Sequence, residues 1–139
     1  MRVVLDTNIL LSALISPHGA PHAIYQAWRA ARFDLVTSSA QLDELRRASR
    51  YPKFKTVLQP HHVGAMVNNM SRSIMIEKLP DLPDEIELGD PNDIFLLAMA
   101  VAGDADYLVT GDHRAGMLQR GSIARARIVT PALFHAEVL

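Results

Sequence analysis

Cysteine is absent from the 139-residue chain. Its absence excludes disulfide bonds, thiolate metal sites and cysteine nucleophiles, and it agrees with a reducing cytosol. No apolar run approaches the ~18 residues that a membrane-spanning helix needs. Met1 and Arg2 lead directly into an apolar run, so no signal peptide is expected. We therefore expect a cytoplasmic protein with no membrane association.

An excess of charge of either sign is also missing, since 14 lysines and arginines are balanced by 15 aspartates and glutamates. This balance argues against a general nucleic-acid coat, but it allows a local basic patch beside a local acidic one. Internal repeats and low-complexity linkers are absent too. A hydrophobic content of 49% is enough for a packed core and argues against disorder. The length predicts one domain over residues 1–139.

Short apolar, β-branched runs alternate with helical patterns along the chain. The runs predict strands at 3–5, 34–37, 74–76, 106–110 and 127–129. Apolar periodicity and proline starts predict helices at about 9–15, 21–31 and 38–49, from Pro60, from Pro91 and after Pro131. This alternation predicts an α/β fold of three layers, with a mostly parallel central sheet and helices on both faces.

The segments between these elements carry turn and cap signals. Ser38 with Gln41 reads as a capping box, and Asp90 before Pro91 reads as a helix cap. Residues 51–55 form a basic, aromatic connection, and residues 80–89 form an acidic loop with two prolines.

Four acidic residues are placed to meet at one edge of the predicted sheet. Asp6 follows the first strand and Asp112 follows a later one, and strand ends that precede helices share the carboxyl edge, where open α/β folds bind ligands. Asp93 falls in the first turn of a helix that begins at that edge, and Glu44 lies near the buried face of its helix. Asp43 is the competing choice for Glu44. A structural alternative for Asp93 is a favourable helix-dipole charge worth under ~1 kcal/mol.

Packed carboxylates repel one another, so either one is protonated or a cation is present. Oxygen ligands favour Mg²⁺ or Mn²⁺ over zinc. Such a site suits in-line displacement at phosphorus, with the cation activating water and steadying the leaving oxygen.

Two further patterns admit both a functional and a structural interpretation. Five basic residues lie at the end of the helix that carries Glu44 and in the segment after it. They are placed to contact a phosphate backbone, and the structural alternative is a solvated helix end: Arg46, Arg47, Arg50, Lys53 and Lys55. An apolar stripe favours core packing, with a dimer or protein-partner surface as the alternative: Val63, Met66, Val67 and Met70.

Taken together, these motifs resemble PIN-domain ribonucleases, close to the VapC-like toxins of toxin–antitoxin pairs. The resemblance is carried by Leu5-Asp6-Thr7-Asn8, Glu44-Leu45, Asp93-Ile94-Phe95 with Ala98, and the run from Tyr107 through Thr110-Gly111-Asp112, and it extends to Ile128-Val129-Thr130-Pro131. It implies Mg²⁺- or Mn²⁺-dependent hydrolysis of RNA phosphodiesters. The acids that it implies as catalytic and metal-binding are Asp6, Glu44, Asp93 and Asp112, with Asn8 and Thr110 as supporting polar residues.

The same resemblance implies RNA as substrate, an antitoxin protein as partner, and a homo-oligomer, most simply a dimer. The rival hypothesis is a non-catalytic PIN-like module that binds RNA or protein. A phosphoryl-transfer domain with Asp6 as nucleophile fits less well. Such domains carry a lysine at a neighbouring strand end, where this chain has Asp112.

Overall fold

The computed structural model describes residues 1–82, 91–111 and 116–139, and for residues 91–93 it describes the backbone alone. The strands are β1 (Arg2–Leu5), β2 (Asp34–Ser38), β3 (Ile74–Ile76), β4 (Tyr107–Val109), β5 (Ser122–Ile123) and β6 (Ala126–Val129). The helices are α1 (Thr7–Ile15), α2 (Ala20–Arg29), α3 (Ser39–Ala48), α4 (Pro52–Lys55), α5 (Pro60–Met70), α6 (Pro91–Ala102), α7 (Met117–Arg120) and α8 (Pro131–Leu133). A π-helical turn, Phe134–Val138, ends the chain.

The six strands form one sheet in the order β3-β2-β1-β4-β6-β5. All pairs are parallel except β5 with β6. The chain moves from β1 outward through β2 to β3, and α6 then returns it to β4 on the other side of β1. The direction of winding therefore reverses between β1 and β4, the kind of position where doubly wound sheets bind ligands.

The apolar run of β1 is buried on both sides of the sheet. Val3 and Leu5 pack with α1, α2, α3 and α5 in one core, while Val4 packs with α6 in the other. Successive strand residues point to opposite faces, so a strand covered on both sides needs apolar residues throughout. The predicted three-layer, mostly parallel α/β architecture is confirmed.

All five predicted strands are present, but several local predictions were wrong. The predicted connection at 51–55 contains the short helix α4, and α7 and β5 were not predicted. The helix predicted to reach residue 31 ends at Arg29, because the backbone turns left-handed at Ala31 (φ 60°). The acidic loop from residue 83 onward and the Asp90 cap lie outside the described residues.

The predicted capping box is only half formed. Ser38 Oγ accepts a hydrogen bond from the backbone N–H of Gln41 at 3.2 Å, as an N-cap does. The Gln41 side chain does not complete the box, because its amide is taken by Leu5 O and by Thr37.

The apolar stripe on α5 belongs to the core. Val63, Met66 and Met70 are buried within the chain, and Val67 is half-buried against the same cluster. Core packing, the favoured interpretation, is therefore right, and most of the stripe is not available to a partner. None of the helices in the described parts of the chain has the length and hydrophobicity needed to cross a bilayer.

Candidate active site

Asp6 lies at the carboxyl end of β1 and begins α1. Its backbone N–H donates to Val109 O at 2.9 Å, which continues the pairing of β1 with β4 by one residue. Its Oδ1 accepts a hydrogen bond from the backbone N–H of Asn8 at 3.1 Å, so the carboxylate is also the N-cap of α1. Only 6% of the residue is exposed. Strand end and helix start together fix this carboxylate at the sheet edge.

Thr110 holds the other oxygen of the same carboxylate. Its Oγ1 donates to Asp6 Oδ2 at 2.8 Å. Thr110 follows β4, is fully buried, and is tied to β6 by its backbone N–H, which donates to Val129 O at 3.0 Å. The hydrogen bond therefore spans the point between β1 and β4 where the winding reverses. Asn8, the second supporting residue, is exposed and contributes its backbone N–H to Asp6.

Gln41 is a site-supporting residue that sequence reasoning missed. It is fully buried, its Nε2 donates to Leu5 O at 2.6 Å, and its Oε1 accepts from Thr37 Oγ1 at 2.7 Å. The paired registers of β1 and β2 end at Val3 and Leu35, so the Gln41 amide joins the two strands beyond their last pair. The available signal was spacing, since Gln41 lies four residues before Leu45, on the buried face of α3.

Glu44 lies one turn beyond Gln41 on α3 and is half-buried. The competing Asp43 is solvent-exposed, with 66% of its side chain accessible, and pairs with Arg46 at 3.4 Å. Residues three apart on a helix share a face, so Glu44 is on the side of α3 that contacts the end of β1 through Gln41. Asp43 is on the solvent side.

Of the other two predicted acids, the structure describes the backbone of Asp93 and does not describe Asp112. α6 ends beside Arg2 at the amino edge of the sheet, where Arg2 Nη1 donates to Gly103 O at 3.0 Å, so α6 begins at the carboxyl edge. The backbone of Asp93 is in the first turn of α6, and its side chain is not described. Asp112 lies outside the described residues. Among the described side chains, no three acids or histidines come together as a metal cluster.

Thr7, the first residue of α1, follows Asp6 and carries an unpaired buried hydroxyl among the described residues. Its Oγ1 is buried and has no hydrogen-bond partner in the described part of the chain. An unpaired buried hydroxyl costs about 1–3 kcal/mol. In native proteins such a group is accounted for by local strain, a catalytic role, or a bound water or ion.

A cleft of about 410 Å³ opens beside the Asp6 carboxylate. It lies between the first turn of α1, Gly111 after β4, and two prolines that begin helices, Pro21 and Pro131. A buried carboxylate held at both oxygens on the wall of an open cleft suits Mg²⁺ or Mn²⁺, which take oxygen ligands. Among the described residues, Asp6 therefore fits as one ligand of such an ion.

A second, larger groove of about 780 Å³ lies between α3, α4 and α5. Arg46, Arg50 and Lys55 line it together with Leu58 and Val63, and no acid is among its described lining residues. Three of the five predicted cations therefore share one surface. Of the other two, Arg47 is exposed away from the groove lining, and Lys53 lies over the Phe54 ring with Nζ 4.8 Å from its centroid.

Comparison with known proteins gives a family and a fold. A family model described as PIN domain matches residues 2–114. The crystal structure of VapBC2 from Rickettsia felis, bound to a DNA fragment from their promoter, is similar with a TM-score of 0.56 and 19% sequence identity. The match covers 94% of this chain and 98% of that one. No match is found among curated proteins. At this identity the structural likeness establishes a shared fold.

Proposed function

The chain belongs to the PIN domain family, and from that membership we propose that it is a Mg²⁺- or Mn²⁺-dependent endoribonuclease, the toxin of a toxin–antitoxin pair. The observation that carries the proposal is the Asp6 carboxylate. It is buried at the winding reversal of the sheet, oriented at both oxygens, and open to a cleft. Burying a charged carboxylate is costly unless it is hydrogen-bonded and is paired or coordinates a metal ion.

Asp6, Glu44, Asp93 and Asp112 are the residues that would hold the cation. When bound, it supplies the Lewis acidity that activates a water and steadies the leaving oxygen during phosphodiester hydrolysis. Thr110 and the N–H of Asn8 keep the Asp6 carboxylate in one rotamer. Gln41 holds the end of the strand that carries it. These contacts fix the position of the Asp6 carboxylate before the substrate binds, so less ordering is needed when the phosphodiester reacts.

The basic groove between α3, α4 and α5 is the proposed path of the RNA backbone away from the cleft. Arg46, Arg50 and Lys55 supply positive charge for phosphates, and the exposed Pro60 and half-buried Val67 give apolar surface for unstacked bases. The groove includes Arg46 of α3, the helix that also carries Glu44, and Arg50 just beyond its end, so the proposed path runs along this helix toward the cleft. Arg47 and Lys53 do not line the groove, so this path does not use them.

The antitoxin partner is proposed from the fold shared with VapBC2 of Rickettsia felis. A partner expressed with this chain should suppress its RNA cleavage in a stoichiometric manner.

A homodimer is proposed as well, and light scattering of the purified chain should give twice the 15.4 kDa protomer mass. A monomeric mass at micromolar concentration would contradict the dimer.

The test of the nuclease is incubation with a mixed pool of single-stranded RNA in Mn²⁺. We expect cleavage products with 5′-phosphate and 3′-hydroxyl ends, lost with EDTA and in the Asp112→Asn variant. Asp43→Asn is the matched control, because Asp43 is an exposed acid on the solvent side of α3. Equal cleavage in EDTA would overturn the metal mechanism. Mn²⁺ and RNA binding without cleavage would favour the non-catalytic module.

A further inference from the structure

The cleft beside Asp6 carries polar groups that the fold itself does not use. Asn8 and Ser12 are four residues apart on α1, so they share one face, and both line the cleft. The Asn8 side chain is exposed and the Ser12 side chain is half-buried. Neither side chain has a hydrogen-bond partner in the described parts of the chain, so an amide and a hydroxyl face the cleft uncommitted.

Apart from these polar residues and Asp6, the described residues that line the cleft are apolar ones and a glycine. Ile9 is almost fully buried beneath it, and the rings of Pro21 and Pro131 stand at its sides. Asp6 is the sole charged residue among the described lining residues, and it is an acid. A second anion is therefore disfavoured there away from the cation, whereas a neutral, flat ligand with hydrogen-bonding edges matches the surface.

We propose that this cleft binds the base of the nucleotide next to the scissile phosphate, with Asn8 and Ser12 reading its edge. The inference rests on the proposed nuclease function and adds a source of sequence preference to it. Unpaired RNA bases are recognised by stacking, usually on aromatic or arginine side chains, and by hydrogen bonds to their edges. In this cleft Ile9 and the two prolines provide the packing surface. About 410 Å³ is within the size range of small-molecule sites. The scissile phosphate lies at the cation site beside Asp6, the neighbouring phosphates follow the basic groove, and the base enters the rest of the cleft.

The first test uses the four ribonucleosides, which have no phosphate, with the metal-free protein. In NMR titrations we expect one nucleoside to shift the backbone amide signals of Asn8, Ser12 and Gly111 more strongly than the other three do. Ser12→Ala should reduce that preference about 2- to 10-fold, the effect of one neutral hydrogen bond. Ser122→Ala on the outer strand β5 is the matched control. Equal titrations of the parent and Ser12→Ala would overturn the proposal.

A second variant tests the cleft by filling it. A Cβ at Gly111 would meet no described atom within 4 Å, so Gly111→Ala adds a methyl group to the lining without a clash with the described part of the chain. We expect weaker nucleoside binding at an unchanged melting temperature. Unweakened binding in this variant would place the base elsewhere.

Sequencing of RNA cleavage ends separates this inference from the nuclease proposal. The parent should show a preference for one base beside the cut, and Ser12→Ala should show less preference among its cleavage ends. Cleavage without any base preference would reject the base site and leave the nuclease standing. Specific nucleoside binding without cleavage would do the reverse.

Discussion

At the scale of single residues, the orientation of Asp6 depends on the Thr110 hydroxyl. Thr110→Val keeps the shape of a fully buried side chain and removes the donor 2.8 Å from Asp6 Oδ2. A hydrogen bond to a charged group contributes about 1.5–3 kcal/mol, so we expect a free-energy loss of that size in urea unfolding, with reduced RNA cleavage. Thr110→Ser keeps the hydroxyl and should retain most of both. Equal behaviour of the two variants would contradict this role.

At the scale of elements, Gln41 joins α3 to the ends of β1 and β2. Gln41→Leu leaves the carbonyl of Leu5 and the hydroxyl of Thr37 without their partners in a buried place. An unsatisfied buried polar group costs about 1–3 kcal/mol, so we expect a loss of roughly 2–4 kcal/mol in urea unfolding. Gln26→Leu on the exposed side of α2 is the control. If both variants unfold alike, the Gln41 amide does not hold the strands.

The basic groove is a property of three neighbouring elements, and its cations differ in position. Replacing Arg46, Arg50 and Lys55 with alanine should weaken RNA binding and flatten its salt dependence, by roughly one unit of log–log slope per lost phosphate contact. Arg47→Ala is the matched control, because Arg47 is an exposed cation of α3 that does not line the groove. Affinity measured across a salt series decides. An unchanged slope in the triple variant would mean that these charges are merely solvated.

Comparison of sequence with structure at this scale shows where pattern reasoning works. β1 was predictable because a strand covered on both faces must be apolar throughout. β5 was not, since two residues paired antiparallel to β6 have no periodicity to detect. Gln41 was misassigned because a local capping pattern competed with a tertiary contact to Leu5, 36 residues earlier in the chain. Spacing places Gln41 on the buried face of α3, but it does not specify which distant groups its amide binds.

At the scale of the whole molecule, stability should fall in acid through Asp106 at the amino edge of the sheet. The backbone N–H of Arg2 donates to Asp106 Oδ2 at 2.8 Å and, with the nearby Arg125 guanidinium, lowers the pKa of this carboxyl. A folded-state pKa below the unfolded one gives stability that is present above the unfolded value and lost as pH falls through the folded value.

Asp106→Asn should therefore melt below the parent at pH 7, and the gap should close below about pH 4. Thermal melting across that range measures it. Asp104→Asn is the control, because Asp104 meets the same Arg125 at 3.4 Å with 66% of its side chain exposed. A gap that persists unchanged at pH 3 would mean that the effect is not the ionised carboxylate.

Metal binding is a test at the scale of the whole molecule, because clustered acids should lower the melting temperature of the metal-free protein and raise that of the metal-bound protein. With a dissociation constant on the order of 1 mM, about 10 mM Mg²⁺ adds roughly 1.4 kcal/mol by mass action. At this chain length that raises the melting temperature by about 3–6 °C. Asp93→Asn removes one of the like charges, so in EDTA it should melt at or above the parent temperature, and in Mg²⁺ it should lose most of the rise.

Asp43→Asn removes an exposed acid from α3 and should keep the full rise, which separates site binding from general charge screening. Melting of the three proteins in EDTA and in Mg²⁺ makes the comparison, with calcium-free buffers so that one cation is tested at a time. If Asp93→Asn melts well below the parent in EDTA, Asp93 acts as a favourable charge in the first turn of α6. The cation would then have to be held by the other acids, because Asp93 would carry no like-charge repulsion that a bound metal could relieve.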